Sequence, residues 1–351
     1  MTRLLDLSKP EITVLVSDLG QPAYRANQLY EWLHKKRVDR FDDMSNLPAV
    51  MREALAAQAV IGRAGVVRSQ QGSDGTVKML FELSDGQAVE SVFMVHRHGN
   101  SLCVSTQVGC RMGCAFCAST IGGLVRNLTP GEMLAQVYGA EAHTHKPVNS
   151  IVLMGIGEPL DNLDNVLIFL RLLSDPDGFG MSLRHVSLST CGMVPQIRVL
   201  AEHKLGLTLS VSLHAADDKT RSEIMPVNKA YPIVELMAAC DDYFKITGRR
   251  ISFEYALISG VNDDEAHALS LARLIGRRGC HVNLIPVNKV GEGGFHRSDR
   301  MRIQAFCDIL QKNHINATVR RELGGDIDAA CGQLRRRAME GDDSLAHHRA
   351  D

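Results

Sequence analysis

The chain has 351 residues and 45% hydrophobic content, which is enough for one large domain and one small one. Its formal net charge of -1 excludes a bulk attraction to nucleic acid, so any RNA-binding surface must be a local patch. No apolar run approaches the roughly 18 residues of a membrane span, and the N-terminus lacks the apolar segment of a secretory signal. Nine cysteines, an odd number, argue against a secreted disulfide framework and predict a protein of the reducing cytoplasm.

Residues 1–75 predict a small helical domain. Apolar residues at helical spacing indicate a helix over Pro22–Val38, and Asn46-Leu-Pro-Ala is typical of the start of another. Two β-rich runs, Thr76–Leu83 and Gln87–Val95, flank Asp85-Gly86 and predict a hairpin. We expect residues 76–340 to form the main domain, and residues 341–351 to be a flexible tail.

From Cys103 onward, strand-like runs alternate with helical segments, which predicts an α/β fold with a parallel sheet curled into a full or partial barrel. The predicted strands are Cys103–Val108, Ser150–Met154, His185–Ser189, Leu207–Leu213, Ile251–Leu257, His281–Val287 and Ala317–Arg321. The predicted helices are Pro130–His143, Leu163–Leu173, Pro195–His203, Pro232–Thr247, Glu265–Gly276 and Arg300–Lys312.

The C-terminal end of each predicted strand is polar or rich in glycine. In a barrel of this type these ends lie at one rim, where active sites are found. The rim positions that stand out are the cysteine loop after the first strand, Gly155-Ile-Gly157-Glu158-Pro159, Ser189, Ser212-Leu213-His214 and Asn288. So many polar strand ends at one rim are hard to explain by packing alone.

Cys110, Cys114 and Cys117 stand as Cys-x3-Cys-x2-Cys in the first of these loops. Three thiolates at this spacing can hold three irons of a [4Fe–4S] cluster and leave the fourth iron open to a ligand. Zinc is the alternative, because Cys103 or a distant histidine could supply a fourth ligand. Structural zinc sites more often use two short hooks, and this chain has one, so the pattern favours the cluster.

Three other candidates are ambiguous from the residues alone. A Gly-rich turn such as the one before Glu158 is often a plain turn, although its position at the rim favours a ligand site. Cys331 is a lone cysteine, and such cysteines more often serve in packing than in chemistry, whereas strand alternation predicts that Glu90 faces solvent.

Five basic clusters could contact phosphates, although clusters of this kind are more often solvated helix ends. They are Lys35-Lys-Arg, Arg249-Arg, Arg277-Arg, Arg320-Arg and Arg335-Arg-Arg.

These motifs together resemble the RlmN/Cfr family of radical S-adenosylmethionine (SAM) adenine methyltransferases. The resemblance rests on the run from Cys103 to Cys110, Arg126-Asn-Leu-Thr, Met154-Gly-Ile-Gly-Glu-Pro-Leu-Asp, Leu213-His-Ala, Ile224-Met-Pro-Val-Asn and Gly325-Asp-Ile-Asp-Ala-Ala-Cys-Gly-Gln-Leu. An N-terminal segment, including Tyr24-Arg-Ala-Asn-Gln-Leu-Tyr-Glu-Trp, favours the RlmN branch. That branch methylates C2 of adenosine in 23S ribosomal RNA and, in some members, in transfer RNA.

The resemblance implies a radical SAM partial (β/α)6 barrel with an N-terminal helical domain that helps to bind RNA. It also implies roles for individual residues. Cys110, Cys114 and Cys117 would hold the [4Fe–4S] cluster. Positions matching SAM contacts are Gly157, Glu158, Ser189, Ser212, Leu213, His214 and Asn288. Cys331 would carry the methyl group as S-methylcysteine, and Cys103 would release it by forming a disulfide with Cys331. Glu90 would accept a proton. These implied roles replace the structural interpretation of Cys331 and the solvent-facing interpretation of Glu90 that the local pattern favours.

The implied chemistry suits the substrate, because C2 of adenine is not nucleophilic and ordinary polar methyl transfer fails. Cys331 would be methylated first, and a SAM-derived radical would then activate that methyl group for addition to the base. A flavodoxin or ferredoxin is the expected electron donor, and a monomer without a membrane anchor is expected.

Three alternatives remain open from the residues. The first is a Cfr-type enzyme that methylates C8, which would use the same residues. The second is a radical SAM enzyme that modifies or activates a protein and does not need Cys103 and Cys331. The third is a non-catalytic RNA-binding protein with a structural cluster.

Overall fold

The computed structural model describes residues 1–287, 295–321, 323 and 327. The helices in this part of the chain are α1 (Lys9–Asp18), α2 (Tyr24–Glu31), α3 (Ala49–Gln58), α4 (Pro130–Thr144), α5 (Leu163–Ser174), α6 (Val194–Glu202), α7 (Asp218–Ile224), α8 (Ile233–Thr247), α9 (Glu265–Ile275) and α10 (Arg300–Lys312). No helix among these residues is long and apolar enough to span a bilayer.

Strands make up the rest of the regular structure. They are β1 (Thr2–Arg3), β2 (Ala59–Val60), β3 (Gly65–Gln71), β4 (Val77–Glu82), β5 (Ala88–His96), β6 (Gly99–Cys103), β7 (Gln107–Gly109), β8 (Leu124–Asn127), β9 (Ser150–Leu153), β10 (Val186–Thr190), β11 (Thr208–Ser212), β12 (Ser252–Leu257), β13 (His281–Pro286) and β14 (Asn316–Val319).

One 10-stranded sheet organises the molecule, in the order β14-β13-β12-β11-β10-β9-β6-β5-β4-β3. The strands from β6 to β14 pair in parallel, and β5, β4 and β3 extend the sheet in antiparallel pairing. The sheet is curled, since Arg320 beyond β14 and Ser101 on β6 line one cavity. The predicted α/β fold and hairpin are confirmed.

Side chains alternate across the curled sheet and give its two faces different chemistry. On β10, Val186 and Leu188 are buried against the helices, whereas Ser187 and Ser189 face the lumen and are partly exposed. The same polar lumen face continues with Ser210 on β11 and neighbouring strands. The barrel interior therefore carries polar side chains beside apolar ones such as Met94 and Val152, and the main apolar core lies between the sheet and the surrounding helices.

Two predicted elements are wrong in detail. The strand predicted over Cys103–Val108 is divided, since β6 ends at Cys103 and β7 leaves the main sheet to pair with β8. The helix predicted over Pro22–Val38 changes to a π-helical turn over Trp32–Lys36 and ends at Arg37, whose φ is 56°. Local patterns of apolar residues do not report which partner a strand will choose.

The N-terminal helices share one continuous core with the barrel. Asp6 accepts a hydrogen bond of 2.7 Å from the N–H of Gly131 in the first turn of α4. A Cβ atom on Gly131 would lie 2.6 Å from Asp6, so this contact requires glycine. Tyr30 on α2 donates a hydrogen bond of 2.7 Å to Asp175, just after α5. The boundary at residues 75 and 76 stays a prediction.

Candidate functional site

The cysteine loop leaves the barrel rim after β7 and is shaped by backbone contacts. Gly109 has a φ of 78°, and a Cβ atom there would lie 2.0 Å from the carbonyl oxygen of Gly123, so glycine is needed. The Cys110 N–H donates to the same carbonyl at 3.1 Å. The N–H of Ala115 donates to the carbonyl of Ile224 at 2.9 Å, which fixes the loop to the end of α7. The loop is thus fastened on two sides.

The three thiols of this loop are close enough to influence one another. Burial raises the pKa of Cys110 to about 11 and that of Cys114 to about 12, and each is raised further by Cys117. Among the described residues, no three His, Cys, Asp or Glu side chains are placed to hold one metal ion. A [4Fe–4S] cluster binds each cysteine through a different iron, so its ligands need not converge on one point. The donor set and spacing therefore fit the cluster better than zinc.

Glu158 lies at the rim next to this loop and is only 4% exposed. Its carboxylate accepts hydrogen bonds from the N–H of Leu160 at 3.0 Å and from the N–H of Cys191 at 2.7 Å. Burial raises the pKa of Glu158, while these amide bonds lower it. A Cβ atom on Gly157 would lie 2.6 Å from the side chain of Gln107, so close packing accounts for this glycine. Glu158 therefore joins the ends of two neighbouring strands.

The segment Ser212-Leu213-His214 forms the rim after β11. His214 has a φ of 57° and is 5% exposed, and burial lowers its pKa to about 3, so the ring is neutral. The N–H of Ala256 donates to His214 Nδ1 at 2.9 Å, which places the ring proton on Nε2. Phe116 of the cysteine loop meets this ring edge-on, with centroids 4.9 Å apart. Leu213 is fully buried, and Ser212 is partly exposed.

Arg221 on α7 holds these strand ends together, although its sequence context did not single it out. The side chain is 0% exposed and donates to the carbonyls of Leu213 at 3.0 Å and of Cys191 at 2.7 Å. It also donates to Ser212 O at 3.1 Å and to Asn228 Oδ1 at 2.9 Å. Three buried acceptors and one partly buried acceptor therefore depend on one guanidinium. The nearby run Ile224-Met-Pro-Val-Asn228 was the only signal in the sequence.

Glu90 and Cys103 lie on the same lumen face of the sheet. Val92 pairs with Cys103 across β5 and β6, and Glu90 is two residues from Val92, so alternation places all three on one side. Glu90 is 4% exposed, so the solvent-facing prediction is wrong. Alternation identified the face correctly, but the curled sheet encloses that face. Burial raises the pKa of Cys103 to about 11, and the nearby charge of Glu90 raises it further.

A buried hydrogen-bond network fixes the backbone around this pair. Ser105 Oγ donates to the carbonyl of Glu90 at 2.6 Å and accepts from the N–H of Ile156 at 2.9 Å. The side chain of Gln136 on α4 binds both the N–H and the carbonyl of Ser105, at 2.9 and 3.0 Å. The same Gln136 oxygen accepts from Ser91 at 2.8 Å. These bonds connect the strand of Glu90, the segment after Cys103 and the turn before Glu158.

A cavity of about 630 Å³ occupies the barrel lumen. Its wall includes Glu254, which is 4% exposed and accepts from Asn283 at 2.7 Å and from Ser252 at 3.1 Å. Two of the basic clusters noted in the sequence, Arg249-Arg250 and Arg320-Arg321, line the same cavity. Two other clusters are at least partly used in ion pairs, since Arg37 contacts Glu141 and Arg278 contacts Asp241.

The sequence-predicted residues are distributed as follows. The described rim contains the cysteine loop, Gly157 and Glu158, Ser189, and the Ser212–His214 segment, and Glu90 and Cys103 lie on the adjoining lumen face. Asn288 and Cys331 lie outside the described residues. Cys191, Cys240, Cys280 and Cys307 are buried, as expected for packing residues.

Comparison with known proteins gives matches over most of the chain. Residues 104–272 match the family model described as the radical SAM superfamily, and residues 2–61 match that of the ribosomal RNA large subunit methyltransferase N-terminal domain. A protein of Desulforamulus reducens named "Probable dual-specificity RNA methyltransferase RlmN" is 52% identical over 335 residues, which cover 95% of this chain and 96% of the relative. A protein of Pelotomaculum thermopropionicum with the same name is 53% identical over 334 residues, covering 95% and 91%.

A solved structure is similar as a whole. The crystal structure of a radical SAM methyltransferase from Sphaerobacter thermophilus superposes with a TM-score of 0.91 at 43% sequence identity. The match covers 95% of this chain and 99% of the other. The similarity thus includes the N-terminal helices, the antiparallel extension and the barrel.

Proposed function

Since the chain belongs to the RlmN family of the radical SAM superfamily, we propose that it is an RNA methyltransferase that acts on C2 of adenosine. Its substrates are 23S ribosomal RNA, at the peptidyl-transferase centre, and an adenosine in the anticodon loop of transfer RNAs. The names of the curated relatives support two RNA substrates. The observation that carries the proposal is that Glu90 and Cys103 share one lumen face of the barrel beside the cysteine loop.

In this proposal the rim binds both cofactors. Cys110, Cys114 and Cys117 each hold one iron of a [4Fe–4S] cluster. SAM is held by the strand-end residues Gly157, Glu158, Ser189, Ser212, Leu213, His214 and Asn288. When bound, the cluster and SAM would supply the methyl group and the one-electron chemistry, in both the reducing and the oxidising direction, that joins its carbon to the base.

The residues of the chain then complete the transfer. Cys331 carries the methyl carbon on its sulfur and delivers it to the ring carbon. The carboxylate of Glu90 takes the proton from that ring carbon, and the electron pair of the C–H bond stays in the aromatic ring. The Cys103 thiolate attacks the Cys331 sulfur, so that an S–S bond forms while the S–C bond breaks. The released carbon keeps the electron pair and takes a proton to become the methyl group.

The RNA must present its base to the lumen. The target adenosine leaves its stack, and the protein grips the folded RNA by its backbone and shape. We assign this grip to the helical domain of residues 1–75 and to the basic pair Arg320-Arg321, which follows β14. The remaining partner is a flavodoxin or ferredoxin that donates electrons in the cytoplasm, and the enzyme acts as a monomer.

The test is mass spectrometry of RNA from a host that lacks its own enzyme and expresses this chain. We expect 2-methyladenosine in 23S ribosomal RNA and in transfer RNA. Cys331→Ala should abolish the product, because no other residue in the proposal carries the methyl carbon. An 8-methyladenosine product, or full activity in Cys331→Ala, would contradict the proposal. Absence of SAM cleavage by the protein reduced with dithionite would exclude radical catalysis altogether.

A further inference from the structure

A buried lysine faces the proposed proton acceptor. Lys78 on β4 is 0% exposed, and its Nζ lies 3.5 Å from Oε1 of Glu90, which is 4% exposed. In the register of β4 and β5, Lys78 pairs with Val92 and Leu80 pairs with Glu90. Lys78 and Glu90 are therefore diagonal neighbours on one face of the sheet, a spacing that long side chains can bridge. The backbone itself brings these two charges together.

The same face carries Cys103, which pairs with Val92 on the other side of β5. The positive charge of Lys78 and the negative charge of Glu90 both reach its thiol, with opposite effects. Lys78, Glu90 and Cys103 thus form one group of interacting side chains across three adjacent strands, on the face that the transferred carbon must approach in the proposed function. The proposed function gives chemical roles to Glu90 and Cys103 and none to Lys78.

We propose that Lys78 is a positioning residue that orients the carboxylate of Glu90 for proton removal. This inference rests on the proposed function. An ammonium group within ion-pair distance restricts a buried carboxylate to one orientation. During the step Glu90 gains the ring proton and becomes a carboxylic acid, while Lys78 keeps its own protons.

The test compares variants in a reconstituted reaction with SAM, dithionite and an RNA substrate. Lys78→Met should lower the yield of 2-methyladenosine by roughly 10- to 100-fold, within the range of about 10²- to 10⁴-fold that general base catalysis contributes. Formation of 5′-deoxyadenosine should stay within about twofold of the unmodified enzyme, because Lys78 acts after radical formation. A covalent enzyme–RNA adduct should therefore accumulate on a denaturing gel. Lys78→Arg, which keeps the charge, should restore most of the product.

Two further variants separate this role from a loss of structure. In the double variant Lys78→Met/Glu90→Gln, which removes both charges, the yield should be no lower than in Glu90→Gln alone. Lys245→Met, at an exposed lysine that pairs with Asp242, should behave like the unmodified enzyme. Iron content and thermal melting of every variant are measured beside the reaction, so that misfolding is recognised independently of activity.

Several results would overturn the inference. Unchanged product formation in Lys78→Met would do so, as would equal losses of 5′-deoxyadenosine and product without an adduct. A lower yield of 2-methyladenosine in the double variant than in Glu90→Gln, or a failure of Lys78→Arg to restore that yield, would show that Lys78 does not act on Glu90 through its charge. If the unmodified enzyme forms no methylated adenosine at all, the proposed function fails first and this role falls with it.

Discussion

Cys103 illustrates how a single residue is controlled by its surroundings. Burial raises the pKa of its thiol to about 11, and Glu90 opposes ionisation further, while Arg320 and Lys78 favour it. The thiolate is the nucleophilic form of cysteine, so Cys103 is held in the unreactive form at neutral pH. Under the proposed function, this protects a thiol that lies close to the radical chemistry.

Alkylation measures this protection directly. At pH 7.5 we expect iodoacetamide to modify Cys103 roughly 100-fold more slowly than a free cysteine, because its pKa lies above the usual value of about 8.5. The rate should rise with pH up to about 11. Peptide mapping by mass spectrometry resolves Cys103 from the other thiols, and protein in urea serves as the control. Equal rates in the folded and unfolded protein would contradict the assignment.

His34 gives a second prediction at this scale. It is 0% exposed, its Nδ1 lies 2.9 Å from the Tyr138 hydroxyl, and burial, followed by the charge of Arg63, lowers its pKa to about 4. At pH values between about 6.5, the usual pKa of histidine, and about 4, the pKa of His34 in the folded protein, the unfolded chain binds a proton that the folded chain does not. The free energy of unfolding should therefore fall as the pH falls, by about 2 kcal/mol at pH 5 for this histidine.

Urea denaturation at pH 7.5 and pH 5 measures the effect. His34→Gln should reduce the pH dependence without abolishing it, because the lowered pKa of His214 acts in the same direction. His203→Gln, at an exposed histidine, is the matched control and should leave the pH dependence unchanged. A His34→Gln protein that loses as much stability on acidification as the unmodified protein would exclude this explanation.

At the scale of elements, α7 forms hydrogen bonds that connect neighbouring strand ends and the cysteine loop at the barrel rim. Its Arg221 binds the carbonyls at the ends of β10 and β11, and its last residue, Ile224, accepts a hydrogen bond from the cysteine loop. One short helix therefore joins the proposed cluster loop to the proposed SAM-binding segment, so a change in α7 should affect both.

Arg221→Met tests whether these hydrogen bonds of α7 stabilise the rim. The variant leaves three carbonyl groups without this donor, and each unsatisfied group costs about 1–3 kcal/mol, so we expect the free energy of unfolding to fall by about 3 kcal/mol or more. SAM binding, measured by calorimetry, should weaken by about tenfold, equivalent to about 1.4 kcal/mol. Arg198→Met, at an exposed position on α6, should change neither quantity. Unchanged SAM affinity in Arg221→Met would separate α7 from the binding site.

The elements also show what the sequence could predict. The polar strand ends were identified because period-2 alternation and βα order are local properties of the chain. Lys78 and Arg221 were missed because their importance depends on partners in other elements, which a local pattern does not contain. Glu90 was misplaced from pattern alone for a related reason, since alternation identifies a face of a strand and the curvature of the sheet decides whether that face meets solvent.

For the whole molecule, the N-terminal region and the barrel fold as one hydrophobic unit. Leu5, Leu29, Leu33 and Leu55 are each 0% exposed and belong to the same core cluster as the residues of the barrel. A variant lacking residues 2–61 should therefore expose apolar surface on α4 and α5 and aggregate. Size-exclusion chromatography and thermal melting measure this outcome. A monodisperse shortened protein that melts cooperatively would show instead that the barrel is independent.

The register of β4, β5 and β6 also limits which insertions these strands can accept without separating Glu90 from Cys103. β5 and β6 are joined by the two-residue turn Arg97-His98, with His96 opposite Gly99. Insertion of one residue into either strand would turn every later side chain to the opposite face, so that Glu90 and Cys103 would point to different sides of the sheet. Insertions of two residues would keep them together. The proposed chemistry therefore depends on an even count of residues between a carboxylate and a thiol, a constraint on length that no single substitution would reveal.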